Sequence, residues 1–357
     1  MEPYIFNESF ETVATIDEYE SFIWTDRYAS YGDFEIYAYP SSKILTYGVR
    51  NNYVYLPESD HLMIIESVST TTDVDTGDRI ILAGRSLESI LDRRIVWSQT
   101  TVSGNVDACI YKLINQNIIS PSLSYRRINN FSYNHTSDSY ITGTTMKAQY
   151  TGDNIYDIVT EICNEIGIGF KVTLNASNQF VFELYNGKDR SYAQNANPWV
   201  VFSPEYENII NSSYIYSSYD WKNAALIAGE DQGTSRKTSE IGSSRTNLIR
   251  REMFVDARDI RSTDENGDPI SAADYNTMLQ KRGKEQMTEY QKHKGFEGDV
   301  ETLHGFVFGE DYFLGDIVQV EDAYGYGDAM RVTEVVRSQD KNGINVIPTF
   351  TALEEED

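Results

Sequence analysis

The sequence predicts an α+β chain, mostly antiparallel β, in which two small β-barrel-like domains enclose an α/β insertion and a helix-containing segment. Three observations predict it. Short stretches of period-two hydrophobicity, broken by Gly, Pro and Asp, run through residues 10–82 and return after residue 305. Between them, two stretches switch to helical spacing and are followed by a hairpin pattern. A long amphipathic stretch opened by Ser271 then precedes the last strands. Period two puts alternate side chains on one face of a sheet, whereas spacings of three and four put them on one face of a helix. The expected segments are 1–95 for the first barrel-like domain, 96–194 for the α/β insertion and 195–255 for strands completing the barrels. A helix-containing connection, 256–304, and the second barrel-like domain, 305–357, complete the chain.

In order along the chain, Ser21–Tyr28 leads through the turn Tyr31-Gly32-Asp33 into Phe34–Tyr39, which alternates strictly. Tyr53–Leu56 and Met63–Glu66 flank a Pro57–Asp60 turn, and Arg79–Ala83 follows a turn at Asp73–Asp78. Leu87, Ile90 and Leu91 then mark a short helix. Gly104–Asn117 reads as a helix with Val106, Cys109, Ile110, Leu113 and Ile114 on one face. Asp153 is expected to cap a second helix that ends at Glu165, with Gly167 as its stop. Gly169–Leu174 and Gln179–Tyr185 form a hairpin around Asn175–Asn178. Strands resume from Trp199 through Ala228. Gly233–Thr246 is Ser, Thr, Gly and Arg-rich and reads as a mobile loop. The helix from Ala272 to about His293 turns Tyr275, Met278, Leu279 and Met287 inward, which favours packing within its own chain. Phe306–Phe308, Ile317–Val320, Met330–Val336 and Asn345–Thr351 are the last strands.

At 357 residues, 40% hydrophobic and 24% charged, the composition is that of a globular chain. Tyrosine outnumbers phenylalanine 26 to 15, which suits half-buried strands and interfaces, because the ring packs while the hydroxyl stays free to hydrogen-bond. The formal net charge of −25 repels polyanions, and no Lys/Arg block denser than Arg93-Arg94 or Arg250-Arg251 opposes it. The start Met1-Glu-Pro-Tyr-Ile lacks the basic and apolar run of a signal peptide, and no apolar run is long enough to span a bilayer. Cys109 and Cys163 are expected to be buried free thiols.

No residue pattern for catalysis stands out. His61, His135, His293 and His304 are scattered and fit no zinc spacing. No nucleophile elbow, Walker lysine or dinucleotide glycine pattern occurs. Gly325-Tyr-Gly327 reads as a turn between strands. Asp264-Glu-Asn266-Gly-Asp268 begins like a calcium loop, but Pro269 takes the place of the required glycine and no closing glutamate follows. No catalytic, cofactor-binding or metal-binding residue, and no cofactor, is therefore expected.

Four groups of residues together resemble the tail-hub family of siphophages, a family similar to the hub of contractile-tailed phages. They are Trp24-Thr-Asp-Arg27-Tyr28 with Tyr31–Ile36; Met63–Glu66 with Gly84–Leu87 and Ile90–Arg94; Glu207–Ile210 with Tyr219-Asp220 and Asn223; and Leu314–Val318 with Arg331–Val335 and Pro348–Phe350. Each is weak alone; their order and spacing cover nearly the whole chain.

The resemblance implies two barrel domains per chain and a homotrimer that adapts the sixfold tail to a threefold tip. It further implies a place at the tail tip of the virion, after synthesis in the bacterial cytoplasm. There the ring would sit under the distal tail protein ring, surround the tape measure protein and meet receptor-binding or tip proteins. Phage DNA would pass transiently through the lumen without specific binding. The chain stops at Glu354–Asp357, just after the last strand pattern, so no lytic or adhesive module is expected. Two other readings stay open. Tyr and Trp could stack on sugars in a receptor- or carbohydrate-binding tail protein, and the many carboxylates could serve a tail-associated cell-wall hydrolase.

Overall fold

Phe22, Trp24, Phe34, Ile36 and Ala38, the alternating residues of the N-terminal strands, are all essentially excluded from solvent in the computed structural model. The structure describes residues 1–74, 77–300 and 305–353, without the side chains of 297, 299 and 300. The centre of the expected turn at Asp75-Thr76, His304 and the acidic end Glu354–Asp357 lie outside these residues.

The N-terminal region forms β1 (Tyr4–Phe6), β2 (Thr12–Thr15), β3 (Tyr19–Arg27), β4 (Asp33–Ala38), α1 (Ser42–Tyr47), β5 (Tyr53–Tyr55), β6 (Leu62–Thr71) and β7 (Arg79–Ser86). A 3-10 turn at Leu87–Arg93 leads to β8 (Thr100–Asn105), α2 (Val106–Ile114), β9 (Phe131–Asn134) and α3 (Ser139–Gly143). Next come β10 (Thr145–Tyr150), α4 (Ile155–Ile166) and the hairpin β11 (Gly169–Leu174) with β12 (Phe180–Tyr185). Then follow β13 (Val201–Phe202), β14 (Ile209–Ser217), β15 (Ala224–Ala228), β16 (Thr238–Ile241) and β17 (Glu252–Asp256). The chain finishes with α5 (Ala272–Met287), β18 (His293–Val300), β19 (Ile317–Glu321), β20 (Gly327–Asp340) and β21 (Gly343–Ala352). The α+β class with mainly antiparallel strands is what the chain adopts.

Two compact units result. The first takes residues 1–89, 169–215 and those from Lys294 onward; the second takes 90–168 and 216–293. In the first unit a 13-stranded sheet runs in the order β14-β18-β21-β20-β3-β4-β7-β6-β5-β1-β2, with β13 and β19 branching from β20. The strands form one open sheet, and among the described residues it does not close into a barrel. Its two halves keep separate cores. Phe22, Trp24, Phe34, Ile36, Met63 and Leu82 belong to one, and Phe202, Phe296, Tyr312, Val318, Met330 and Phe350 to the other. Each such side chain contributes about 1.5–3 kcal/mol on burial. The β3–β20 ladder, which pairs Arg27 with Glu334 and Phe22 with Gln339, joins the halves.

The second unit holds α2, α3 and α4 with the β8–β10 pair, and the sheet β16-β15-β17 covered by α5. Tyr275, Met278 and Leu279 of α5 pack with Ala225, Ile227 and Val255, so this helix does pack within its own chain.

Local differences from the sequence reading have identifiable causes. The Gly233–Thr246 segment is not a continuous loop: Thr238–Ile241 is β16, paired with β15 through its backbone, which needs no aliphatic side chains. Phe306–Phe308 makes only an isolated bridge, Phe308 to Tyr312, and its rings pack edge-on against Phe202 and Tyr312. The α5 helix stops at Met287, and His293 already begins β18, which pairs with β21. The cap of α4 is Asn154, whose side chain accepts from the Tyr156 amide; Asp153 turns back to the Thr151 amide. Gly167, at φ +69°, ends that helix in the left-handed conformation expected of a stop.

Candidate functional site

Several of the residues that carry the tail-hub resemblance lie at junctions of the large sheet. Arg27 Nε donates to Glu334 Oε2 at 2.6 Å, and its NH1 reaches Asp33 Oδ2 at 2.5 Å and the Tyr31 carbonyl at 3.1 Å. It thereby clamps three segments of the first unit. Tyr28 lies between two glycines: a Cβ on Gly169 or on Gly315 would fall within 2.3 Å of its ring. The Arg331 guanidinium stands 5.3 Å above that ring, and the Gly187 amide donates to its hydroxyl at 3.3 Å. Beside it, buried Asp316 accepts from Arg190 Nε at 2.7 Å and from the Lys188 and Phe313 amides. Asn208 closes its turn from both sides, accepting from the Ser203 amide and donating to the Val201 carbonyl.

A second buried group lies under β3 and β20. Asp26 accepts from Trp24 Nε1 at 2.8 Å and Ser59 Oγ at 2.9 Å, and it pairs with Arg337. The Ser59 hydroxyl accepts the His61 amide, and His61 Nδ1 lies 3.0 Å from Glu88 Oε1. Glu88 also accepts the Val172 amide of the β11 hairpin at 2.8 Å. Burial alone would push the His61 imidazolium down, but the Glu88 carboxylate outweighs it and holds the pKa at about 9. Burial likewise works against ionised Glu88, and the His61 charge keeps its pKa below the usual range. Hence both partners stay charged at neutral pH and each neutralises the other. Nothing in the sequence pattern marked this network, because Glu88 sits in a helical stretch where a glutamate usually faces water.

The remaining chemical candidates are also occupied by the fold. His135 Nδ1 lies 2.5 Å from Asp107 Oδ2, and Asp107 holds the Tyr133 hydroxyl and the Thr136 amide as well. Cys109 and Cys163 are buried free thiols; burial pushes Cys109 up to about 11 and Cys163 higher still, far from a reactive thiolate. Asp264 spends its carboxylate on the Asn266 and Asp268 amides, both at 2.9 Å, in a turn with Gly267 at φ +88°. Gly325-Tyr-Gly327 is the β19–β20 turn, tied by Asp322 to the Tyr324 and Tyr326 amides. An open cleft of about 350 Å³ lies along α5 between Lys237, Ser262, Tyr275 and Asn276, and Lys237 there is paired with Glu230.

What the first unit offers to its surroundings is aromatic. Its sheet ends on one side at β14, which pairs with β18 and has no second strand partner among the described residues. Ile210 and Ile215 are exposed on this strand, and Tyr214 stacks on Tyr326 at 5.6 Å and 14°. Tyr206 just before it is exposed, as are Tyr192 and Trp199, whose rings meet edge-on at 5.4 Å. The Trp199 indole N–H donates to the Gln194 carbonyl at 2.8 Å, so the ring is held in place. The tyrosine excess foretold surfaces of this kind; which strand carries them was decided by pairing between distant segments.

Solved tail proteins share this fold. The tail protein from Neisseria meningitidis MC58 superposes with a TM-score of 0.57 at 12% identity, over 98% of this chain and 96% of that one. The 43 kDa tail protein of prophage MuSo2 from Shewanella oneidensis gives 0.55 at 10% identity, over 98% of both chains. The prophage tail protein gp18 from Listeria monocytogenes EGD-e gives 0.52 at 10% identity, over 100% of this chain and 96% of that one. At such identities the likeness is one of fold. No curated protein matches the chain. The family model of the Siphovirus ReqiPepy6 Gp37-like proteins matches residues 2–350, and the chain belongs to that family. It is a structural protein of the phage tail.

Proposed function

We propose that this tail protein is the hub at the distal end of a siphophage tail, a trimer that adapts the sixfold tube to a threefold tip and gates DNA passage. The observation that carries this reading is the division of the large sheet into two halves, each with its own core, joined through β3 and β20. Three copies of a two-part sheet present six parts to a sixfold ring, so one chain could serve both symmetries. Membership of a siphovirus tail-protein family supports this reading. Its partners on this reading are two further copies, the distal tail protein ring above, the tape measure protein within and the tip proteins below. The net charge of −25 suits a wall past which DNA slides without releasing counterions. The role is structural and not enzymatic: the histidines His61 and His135 and the buried carboxylates near them are engaged in holding the fold.

A reconstruction of the tail tip by cryo-electron microscopy tests the proposal. Three copies on the tail axis directly below the distal ring are expected. A peripheral position, or a copy number that is not a multiple of three, overturns it.

A further inference from the structure

Between β12 and β13 the first unit runs through residues 186–200 without a helix or strand of their own. Irregular stretches of that length are uncommon in compact domains and are usually functional loops. This one is closed at its base and built from within. Buried Arg190 donates from Nε to Asp316 at 2.7 Å, and its carbonyl accepts the Val200 amide at 2.9 Å. Inside that closure the Gln194 side chain accepts from the Ala196 and Asn197 amides, both at 2.7 Å, and donates to the Ser191 and Asn197 carbonyls. Asp189 accepts the Ser191 amide at 2.8 Å, and Asn197 Nδ2 donates back to the Asp189 carbonyl at 2.9 Å. A compact surface loop held by its own side chains has little freedom left to lose when a ligand settles on it.

This polar frame displays two rings. Tyr192 is 44% exposed and Trp199 49%, and neither belongs to a core of the sheet. They meet at 85° and form the floor and wall of a corner, whereas Tyr214 and Tyr326 stack at 14° and cover each other. The Trp199 N–H is already engaged by the Gln194 carbonyl, so the indole offers its apolar faces. Exposed Glu205 and half-buried Glu321 lie within electrostatic reach of Tyr192. Burial raises the Tyr192 pKa above its ordinary value, and a hydrogen bond with Tyr206 and the two carboxylates raise it further, so the hydroxyl keeps its proton.

The chemistry of this corner selects its ligand. The centre of a protein interface is depleted in glutamate and aspartate, because a carboxylate loses its hydration there. A phosphate or a nucleic acid is repelled by the same carboxylates and by the net charge of −25. A ligand that suits both the rings and the carboxylates has an apolar C–H face and a rim of hydroxyl donors, as a neutral pyranose does. We propose that this loop is a saccharide-binding site, in which Trp199 and Tyr192 stack on a pyranose while Glu205 and Glu321 accept from its hydroxyls. The site goes beyond the hub reading and does not depend on how many copies assemble.

Saturation-transfer NMR and isothermal titration of the full chain test it, with neutral tetrasaccharides of glucose, galactose, mannose and N-acetylglucosamine as probes. At least one is expected to bind, with saturation strongest at the C–H protons of the sugar ring. Trp199→Ala should weaken that binding about tenfold or more, the scale of removing one aromatic platform from a flat ligand, and Trp199→Phe should weaken it less. Tyr39→Ala, at an exposed ring just past β4, should leave binding unchanged. Thermal unfolding shows whether the loop survives Trp199→Ala; if it does not, Glu205→Gln at an exposed position carries the test and should also weaken binding. No binding of any probe by the wild type overturns the site, as does equal binding by the wild type, Trp199→Ala and Glu205→Gln. If no probe binds and Trp199→Ala instead abolishes attachment of the chain to tails that lack it, the loop is a protein contact and the saccharide site falls.

Discussion

Tyr28 shows how tightly single residues bind this fold. Its ring fills the space that a side chain on Gly169 or Gly315 would need, and Gly315 also sits at φ +88°. Gly315→Ala must therefore both clash and strain. The clash costs about 1–3 kcal/mol by the scale of overpacked cores, and the backbone about 1 kcal/mol more. Urea unfolding should show the combined loss, whereas Gly309→Ala, at φ +89° with nothing within 4 Å, should show only the backbone part. Equal losses would remove the packing role assigned to Tyr28. His61 acts through charge. Its pKa is raised in the fold to about 9, so its contribution is fully present below its unfolded value near 6.5 and is lost as pH rises through 9. Glu88 is shifted down, so its contribution is present above the ordinary glutamate range and is lost as pH falls below it. The melting temperature should accordingly fall off on the alkaline side through pH 9. His61→Ala, which leaves Glu88 buried without its counter-charge, should cost about 3–5 kcal/mol. A variant as stable as the wild type at pH 7 would show that the pair is not charged in the fold.

At the scale of elements, α5 is instructive because its inward face is only partly apolar. Glu285 is buried and accepts from the Tyr150 hydroxyl at 2.7 Å, Arg282 NH2 reaches Asp259 Oδ2 at 3.0 Å, and Lys281 pairs with Glu165. Gly283 lies against the sheet: a Cβ there would stand 2.7 Å from Ile227 and 2.9 Å from Ile241. Alanine gains about 1 kcal/mol of helix propensity, which offsets part of an overpacking cost of about 1–3 kcal/mol. Gly283→Leu has the same propensity gain with a far larger side chain, so thermal unfolding should rank glycine above alanine and alanine above leucine. Leucine equal to glycine would mean that the helix can lift from the sheet without loss. The inward stripe of Tyr275, Met278 and Leu279 was legible in the sequence, and so were the alternating β3–β4 pair and the Gly167 stop. Spacing alone can carry such features. The polar strand β16 was not legible, since a strand held by backbone pairing leaves no hydrophobic signature. Neither was the end of α5, where the β18–β21 ladder overrides local helical preference. The candidate surface was legible only as a surplus of tyrosine. That Tyr206, Tyr214 and Tyr326 share one end of a sheet depends on strands more than a hundred residues apart in sequence.

For the whole molecule, charge is the property that links fold to the proposed role. Ordinary binding to DNA is driven by the release of condensed counterions when lysines and arginines neutralise phosphates, and it weakens steeply as salt rises. Here 30 basic residues face 55 acidic ones, and those of the first unit that line its strand junctions are already paired with carboxylates. The cations outside such pairs are outnumbered by carboxylates, and lowering the salt strengthens repulsion by the net charge of −25. A gel-shift titration with duplex DNA should thus show no retarded band at physiological salt and none at low salt, for the isolated chain and for its oligomer alike. A band that appears at low salt and fades as salt rises would reveal a basic track through the assembly. In that case DNA would be held at the tail tip by direct contact, and passage would require a step that breaks those contacts. Absence of the band at every salt concentration is what the proposed hub requires: its wall would guide DNA by repulsion alone, and release would depend on opening the proposed ring and not on detaching the DNA from it.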